Sequence, residues 1–463
     1  MKDFYMVNYK VRGIKTLDEM ISLSFYKKTI TYPIDTQDYN VKGIYGVNGS
    51  GKSGIVTSVD ILKNILIDEN YLTNPIVQKN LDAIINKKIN ELSIVVEFLL
   101  KLGEENANLY QYSMTLNKGL NGKYTIGSEK FGYKKATSRK ENFDCLLEVN
   151  RGEIINIKSG IFSKEFIKRT LNLHSTASIS ALFIEKFMLS EGIEFVKEEN
   201  TKMKDIDFLL FSLFALFMFG KKIFVYMDQA DDHTGFYISD LLEMSVAQEK
   251  SETVFDPLIK AAILMDRDYL NVFSTEAKSI PKVAYKNYER SVKKLEEFIQ
   301  IFKSDLKRID IDRKEDESEY ICSLVMVYDS YSIDAEFEST GIKKLIKLFA
   351  YLKEMVRGNI VFIDEFDSNL HDVYLCALME YLMEYGEGQL CFTTHNVGPM
   401  DILKQHKKSI DFLSIDHKIY PWTTNGNYSP SKLYRNGMIE GSPFNIDSID
   451  FIGIFDTPEE DRE

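Results

Sequence analysis

The chain is poor in the residues that build metal and disulfide sites. Its four cysteines, Cys145, Cys322, Cys376 and Cys391, are scattered without a Cys-x-x-Cys pair, and its six histidines form no ligand-spaced pair. A zinc site and a disulfide framework are both unsupported, and a reducing cytoplasm is the expected compartment. The opening residues Met1 to Tyr5 lack the charged and apolar regions of a signal peptide. The apolar run Phe208 to Phe219 stops at Gly220-Lys221-Lys222, short of the ~20 residues that span a bilayer. A buried helix or a subunit interface is expected there, with Ile223 to Met227 following as a strand or helix start, and no membrane partner is expected. Positive charge is also short. With 57 Lys and Arg against 70 Asp and Glu, the net charge of −13 argues against coating nucleic acid by bulk electrostatics. Repeats and low-complexity segments are absent, and the last eight residues read as a frayed acidic tail.

What the chain does have is size and a phosphate-binding pattern. At 463 residues and 44% hydrophobic, two or three domains with real cores are expected. Gly46-Val47-Asn48-Gly49-Ser50-Gly51-Lys52-Ser53, followed by Gly54, fits G-x-x-x-x-G-K-[ST]. Val41 to Tyr45 reads as a strand entering this loop. Gly51 to Asp68 reads as a helix leaving it, with Ile55, Val59, Leu62 and Leu66 on one face. The glycines let backbone N–H groups turn inward at a helix N-terminus, a ready anion site. Lys52 then reaches the β- and γ-phosphates of ATP, and the Ser53 hydroxyl ligates Mg²⁺.

A second half of the site lies far downstream. Ile360 to Ile363 reads as a fully buried strand ending in Asp364-Glu365, where α/β sheets hold their ligands. Asp364 is placed to orient the metal through water, and Glu365 to act as general base toward the attacking water. Asp367-Ser368-Asn369-Leu370-His371 follows at once. Leu390 to Thr393 forms another strand, ending in Thr394-His395, whose imidazole can bond the γ-phosphate. Upstream, Glu338-Ser339-Thr340-Gly341 precedes a helix over Ile342 to Val356, with Ser339 as an N-cap and Lys343, Lys344 and Lys347 opposite its apolar side.

The remaining organisation is coarser. Strands are expected at Tyr5–Val11 and Ile21–Tyr26, leading into the strand before the loop, and at Ser93–Leu100, Leu109–Leu116, Tyr124–Tyr133 and Cys145–Val149, an antiparallel meander beside the nucleotide site broken by a basic turn at Lys134–Lys140. Helical periodicity prevails from Ser163 to Arg313, including Ser178–Leu189, Phe236–Ser245 and Phe255–Val272. Tyr288, Val292, Leu295, Ile299, Phe302, Leu306 and Ile309 step by four and three, a heptad seam of about three repeats. A helix packed on its own lobe is favoured over a coiled-coil arm. Tyr320–Tyr328 returns as a strand. The division read from this is 1–162, the first half of a head with the phosphate loop; 163–319, a helical insertion; and 320–463, the second half of the head.

The order of phosphate loop, helical insertion, Ser-x-Gly helix, strand ending in Asp-Glu, Asp-Ser-Asn loop and Thr-His resembles an ABC-type ATPase head of the SMC, RecF and OLD-like group. The fold implied is α/β, a mixed sheet plus an antiparallel meander, with a mainly helical subdomain inserted. The resemblance implies two heads closing over two nucleotides. Ser339 and Gly341, with Lys343, would then act in trans as the signature, while Asp367, Ser368 and Asn369 form the D-loop between heads. The usual LSGG[QE] reads Glu338-Ser339-Thr340-Gly341-Ile342 here, and Gln78 is the nearest candidate for a Q-loop glutamine. Glu-Ser-x-Gly, Asp-Glu-Phe-Asp-x-x-Leu-His and Thr-Thr-His-Asn are similar to those of small AAA-type ATPases of bacterial abortive infection and anti-phage defence, such as the ATPase subunit of PARIS.

That likeness implies an ATPase that regulates a separate toxic effector, a nuclease by expectation, in response to a phage-derived trigger. Past His395 there are no paired carboxylates of a TOPRIM nuclease, so the effector would be a separate protein. The alternative is a RecF- or SMC-like repair or chromosome ATPase acting directly on DNA.

Overall fold

The computed structural model describes residues 3–103, 106–158, 173–184, 203–227, 273–423 and 428–443. Near the N-terminus β1 (Phe4–Arg12) and β2 (Ile21–Ser24) precede β3 (Val41–Tyr45), α1 (Lys52–Ile67) and α2 (Pro75–Ile84). Then come β4 (Glu91–Lys101), β5 (Ala107–Lys118), β6 (Tyr124–Lys135), β7 (Asp144–Asn150) and β8 (Glu153–Ile157). These strands, without β3, form an antiparallel sheet ordered β2-β1-β4-β5-β6-β7-β8, the meander that alternation along the strands predicts. Its inner face carries Val96, Phe98, Tyr110, Tyr112 and Phe131, all fully buried.

β3 belongs elsewhere. After α3 (Ile179–Phe183) and α4 (Met203–Lys221), β9 (Ile223–Tyr226) lies at one edge of a second sheet. Beside β3, its other strands come from the C-terminal half. They are β14 (Ile360–Ile363), β15 (Gln389–Thr393), β16 (Ile410–Leu413) and β17 (Ile419–Pro421). The order is β17-β16-β3-β15-β14-β9, parallel except for β17. Both faces are covered, so β3, β14, β15 and β16 are buried end to end, and β14 reads as a continuous apolar run. Two polar contacts key the chain into place. Lys42 and Asp411 form a buried ion pair at 2.7 Å between β3 and β16. The Gln389 amide both accepts from Met6 N and donates to Met6 O, each at 3.0 Å, tying the meander to β15.

Helix α1 is buried on nearly every side between these sheets and packs on α4. The run Phe208–Phe219 lies in α4 and is almost wholly buried, with Phe219 stacked on Phe98 at 4.1 Å. Among the described residues no helix is long and apolar enough to cross a membrane.

A third unit combines β10 (Lys278–Pro281), α5 (Tyr285–Phe302), β11 (Leu306–Glu315), β12 (Glu319–Tyr328) and β13 (Ser332–Asp334). Here the seam expectation needs correcting. Tyr288, Val292, Leu295 and Ile299 do form one buried helical face, but α5 ends at Phe302 and Leu306 and Ile309 lie on β11. A shift in register between Leu306 and Arg308 adds a residue to β11. That bulge turns Leu306 and Ile309 to the same side, so a spacing of three imitates a helix. The Ile309 N–H donates to the buried Glu296 carboxylate of α5 at 2.8 Å. The helix therefore packs on its own sheet, as the simpler expectation held. Segments 185–189, 236–245 and 255–272, expected as helix, and the last eight residues lie outside the described residues.

The chain closes the head with α6 (Thr340–Val356), α7 (Asp372–Tyr385), α8 (Met400–Leu403) and α9 (Pro430–Arg435). The α/β head with mixed sheet and meander is the fold class the motifs imply.

Candidate functional site

Between β3 and α1 the chain makes a cradle that side chains would fill. A Cβ on Gly46 would stand 2.4 Å from Leu413 O and 2.9 Å from Ser50 Oγ. Gly51 has φ +107°, and a Cβ there would meet Leu17 at 2.5 Å. Gly51 is the N-cap of α1 and offers no side chain to the first-turn N–H groups of Lys52, Ser53 and Gly54. Ser50 Oγ is buried with no hydrogen-bond partner among the described residues. Gly49, at φ +80°, faces open space, while Thr16 donates to its carbonyl at 3.4 Å. Val47 and Asn48 form the loop's outer turn. An orphaned hydroxyl and open N–H groups at a helix start fit a phosphate.

Lys52 is buried, and its ammonium donates to Gly46 O at 2.6 Å and Val47 O at 3.1 Å. Burial pulls its pKa down to about 8, against the opposing charges of Asp364, Glu365 and Asp367.

The acids stand at the C-terminal end of β14, one strand removed from the loop. β15 lies between, and its Thr393 pins both. Thr393 Oγ1 donates to Asp364 Oδ1 and accepts from Glu365 N at 2.8 Å. Asp364 N donates to Tyr226 O at the end of β9. Asp364 is buried, whereas Glu365 is exposed and has φ +48°. For a residue with a Cβ this left-handed conformation costs on the order of 1–2 kcal/mol and persists only where its surroundings impose it. His395 follows the same strand. Burial lowers its pKa first, then Lys52, while Asp367, Glu365 and Asp364 oppose. All four groups thus lie within electrostatic reach of one imidazole, whose burial favours the neutral form.

The signature expected in trans is built on α6. Ser339 is exposed and caps the helix, accepting from Ile342 N at 3.4 Å. A Cβ on Gly341 would sit 2.8 Å from Asn369 O, so this glycine admits the Asp367-Ser368-Asn369 loop. Ser368 N donates to Glu365 O at 3.1 Å, and Asn369 is exposed at φ +60°. Lys343 donates to Glu336 O at 3.0 Å. Glu338, which departs from the usual leucine, accepts from Tyr328 OH and from Ser339 N.

Two expectations change. Lys344 does not lie on an exposed basic face; it is buried and donates to Glu365 O and Ser368 Oγ. Gln78 does not face the nucleotide site. Its amide donates to Leu72 O and Tyr124 O and accepts from Tyr124 N, stapling α2 to the meander. Thr393 and Lys344 are the residues that motif reading left without a role.

No group of three His, Cys, Asp or Glu among the described residues could hold a metal alone. Ser53, in the first turn of α1, and Asp364 carry the side-chain oxygens that could hold an ion together with phosphate oxygens and water.

Comparison with solved structures finds the chain similar to the recombination mediator protein RecF of the RecFOR pathway, as RecF-ATPrS. The identity is 12% and the TM-score 0.37, over 91% of this chain and 99% of that one. RecF-ATP is similar at 13% identity and a TM-score of 0.34, over 84% and 93%. No curated protein matches. The family described as "AAA domain, putative AbiEii toxin, Type IV TA system" matches residues 42–401, well over half of the sequence. The chain is a member of that AAA-domain family.

Proposed function

We propose that the protein is an ATP-hydrolysing head that works in pairs and regulates a separately encoded toxic effector in bacterial anti-phage defence. The observation that carries the ATPase reading is Thr393. By bonding Asp364 and the Glu365 N–H from the strand between loop and acids, it sets both acids beside Lys52 and His395.

In this reading Gly46 to Gly54 wrap the phosphates with main-chain N–H groups, and the Lys52 ammonium moves from its loop carbonyls to the γ-phosphate. Ser53 Oγ and Asp364 would hold Mg²⁺, which would supply charge neutralisation at the phosphates. Glu365 takes the proton of the attacking water at its carboxylate, and His395 donates to a γ-phosphate oxygen. Ser339 and Gly341, with Lys343, serve the nucleotide of the second head, and Asp367, Ser368 and Asn369 line the seam between heads.

The reading is tested by ATP binding and turnover. Lys52→Ala is expected to weaken ATP binding by about tenfold to a hundredfold, the worth of a charge-assisted hydrogen bond. Glu365→Gln is expected to keep binding and lose about 10²–10⁴-fold in kcat. Wild-type affinity in the first or near-normal turnover in the second would sink the assignment.

The family description supports a toxin–antitoxin setting. Its word "toxin" also allows the AAA chain itself to be harmful, which expression of this chain alone separates from the effector reading. Co-expression with its chromosomal neighbours followed by native pull-down is expected to recover a stoichiometric protein that is toxic by itself. Recovery of DNA without a partner protein, bound with steep salt dependence, would point instead to a RecF- or SMC-like role.

A further inference from the structure

Lys344 sits one turn into α6, behind Ser339 and Gly341, with its side chain buried. Its ammonium reaches across to the next functional segment and donates to the main-chain oxygen of Glu365 and to Ser368 Oγ. The Glu365 backbone is thereby held on both sides, its N–H by Thr393 and its C=O by Lys344 together with Ser368 N. Between those two holds Glu365 keeps a left-handed backbone, φ +48°, that a residue with a side chain does not keep unaided. Gly341 adds a second contact between the same two segments, its Cα lying against Asn369 O.

We propose that Lys344 is a positioning residue for the general base, fixing Glu365 in its own head and joining that base mechanically to the Ser339–Gly341 turn of the same helix. The inference rests on the two-headed ATPase reading and goes beyond it.

The test uses full-length chains. Lys344→Met is expected to keep ATP affinity within about threefold and to lower kcat by about 10²-fold, the cost of misplacing a catalytic group by an ångström. Lys344→Arg, which retains donors for the same oxygens, is expected to restore kcat to within about tenfold. If Lys344→Met has no cooperative thermal transition, Lys344→Gln replaces it.

Mixing experiments then separate the two ideas. In a mixed dimer of Lys52→Ala and Ser339→Ala chains, one site draws Lys52 and Glu365 from one head and Ser339 from the other, all intact. Activity should recover to about a quarter of wild type, half the pairs being mixed with one good site each. Lys52→Ala mixed with Lys344→Met should recover nothing, because the site with an intact Lys52 carries the displaced Glu365. Recovery in this second mixture, or kcat within threefold of wild type in the folded variant, overturns the role of Lys344. No recovery in the first mixture overturns the two-headed reading instead, and the division between kcat and affinity still decides Lys344.

Discussion

Glu129 is a buried acid with no part in the nucleotide chemistry. It accepts from Tyr112 OH at 2.6 Å and from Ile179 N at 3.1 Å, joining the meander to the start of α3. Burial raises its pKa from 4.5 to about 7. A carboxyl that ionises less readily in the folded chain contributes stability below its unfolded pKa, and that contribution disappears as pH rises through the folded value. The shift corresponds to about 3 kcal/mol, withdrawn between about pH 4.5 and 7. Glu129→Gln should flatten the wild-type fall in unfolding free energy over this range, measured by urea denaturation. An unchanged slope would place the titration elsewhere. Residues of this kind are hard to read from sequence. Lys52, Glu365 and His395 stand in patterns whose spacing follows phosphate chemistry, so they are legible. Lys344 lies among three lysines, and only the tertiary fold distinguishes the one that turns inward. Thr393 carries the hydroxyl that any strand-end threonine carries; its importance comes from the strand order.

Among the elements, α5 shows how periodicity can overreach. Four of its seam positions are core, and the step from Phe302 to Leu306 and Ile309 continues the rhythm through a turn and a bulge. Leu295, fully buried against this sheet, gives the measurement. Leu295→Ala should cost about 2–5 kcal/mol in unfolding free energy. The loss should be independent of protein concentration, because the helix packs within its own chain. A loss that grows on dilution would assign the seam to a second subunit. The meander was legible because a sheet with one buried face alternates. β9 was only half legible, since a four-residue apolar strand after a buried helix has no period of its own.

For the whole molecule, Ser339, Glu365, Asn369 and His395 are all exposed at one end of the parallel sheet, around a loop built for phosphates. The head-to-head arrangement predicts that Glu365→Gln, which holds ATP without turning it over, sediments as a dimer with ATP and Mg²⁺ and as a monomer without them. Ser339→Arg, adding bulk and charge at the seam, should remain monomeric under both conditions. A dimer in Ser339→Arg would put the interface on another face. The order of the central sheet was beyond sequence reading, because partners for β3 come from hundreds of residues away and no local pattern records a neighbour.

That separation has a consequence for synthesis. β3 is complete once residue 45 has been joined, yet its two neighbours begin at Gln389 and Ile410, and the Met6 peptide waits for the same Gln389. Throughout that interval an apolar strand stays unpaired, a state that slows folding and invites holding by chaperones. A truncated product therefore carries the whole phosphate loop without the strand that aims its acids. In the ATPase reading, a product cut before Gln389 is expected to lack the Thr393 bonds to Asp364 and Glu365 and to turn over no ATP.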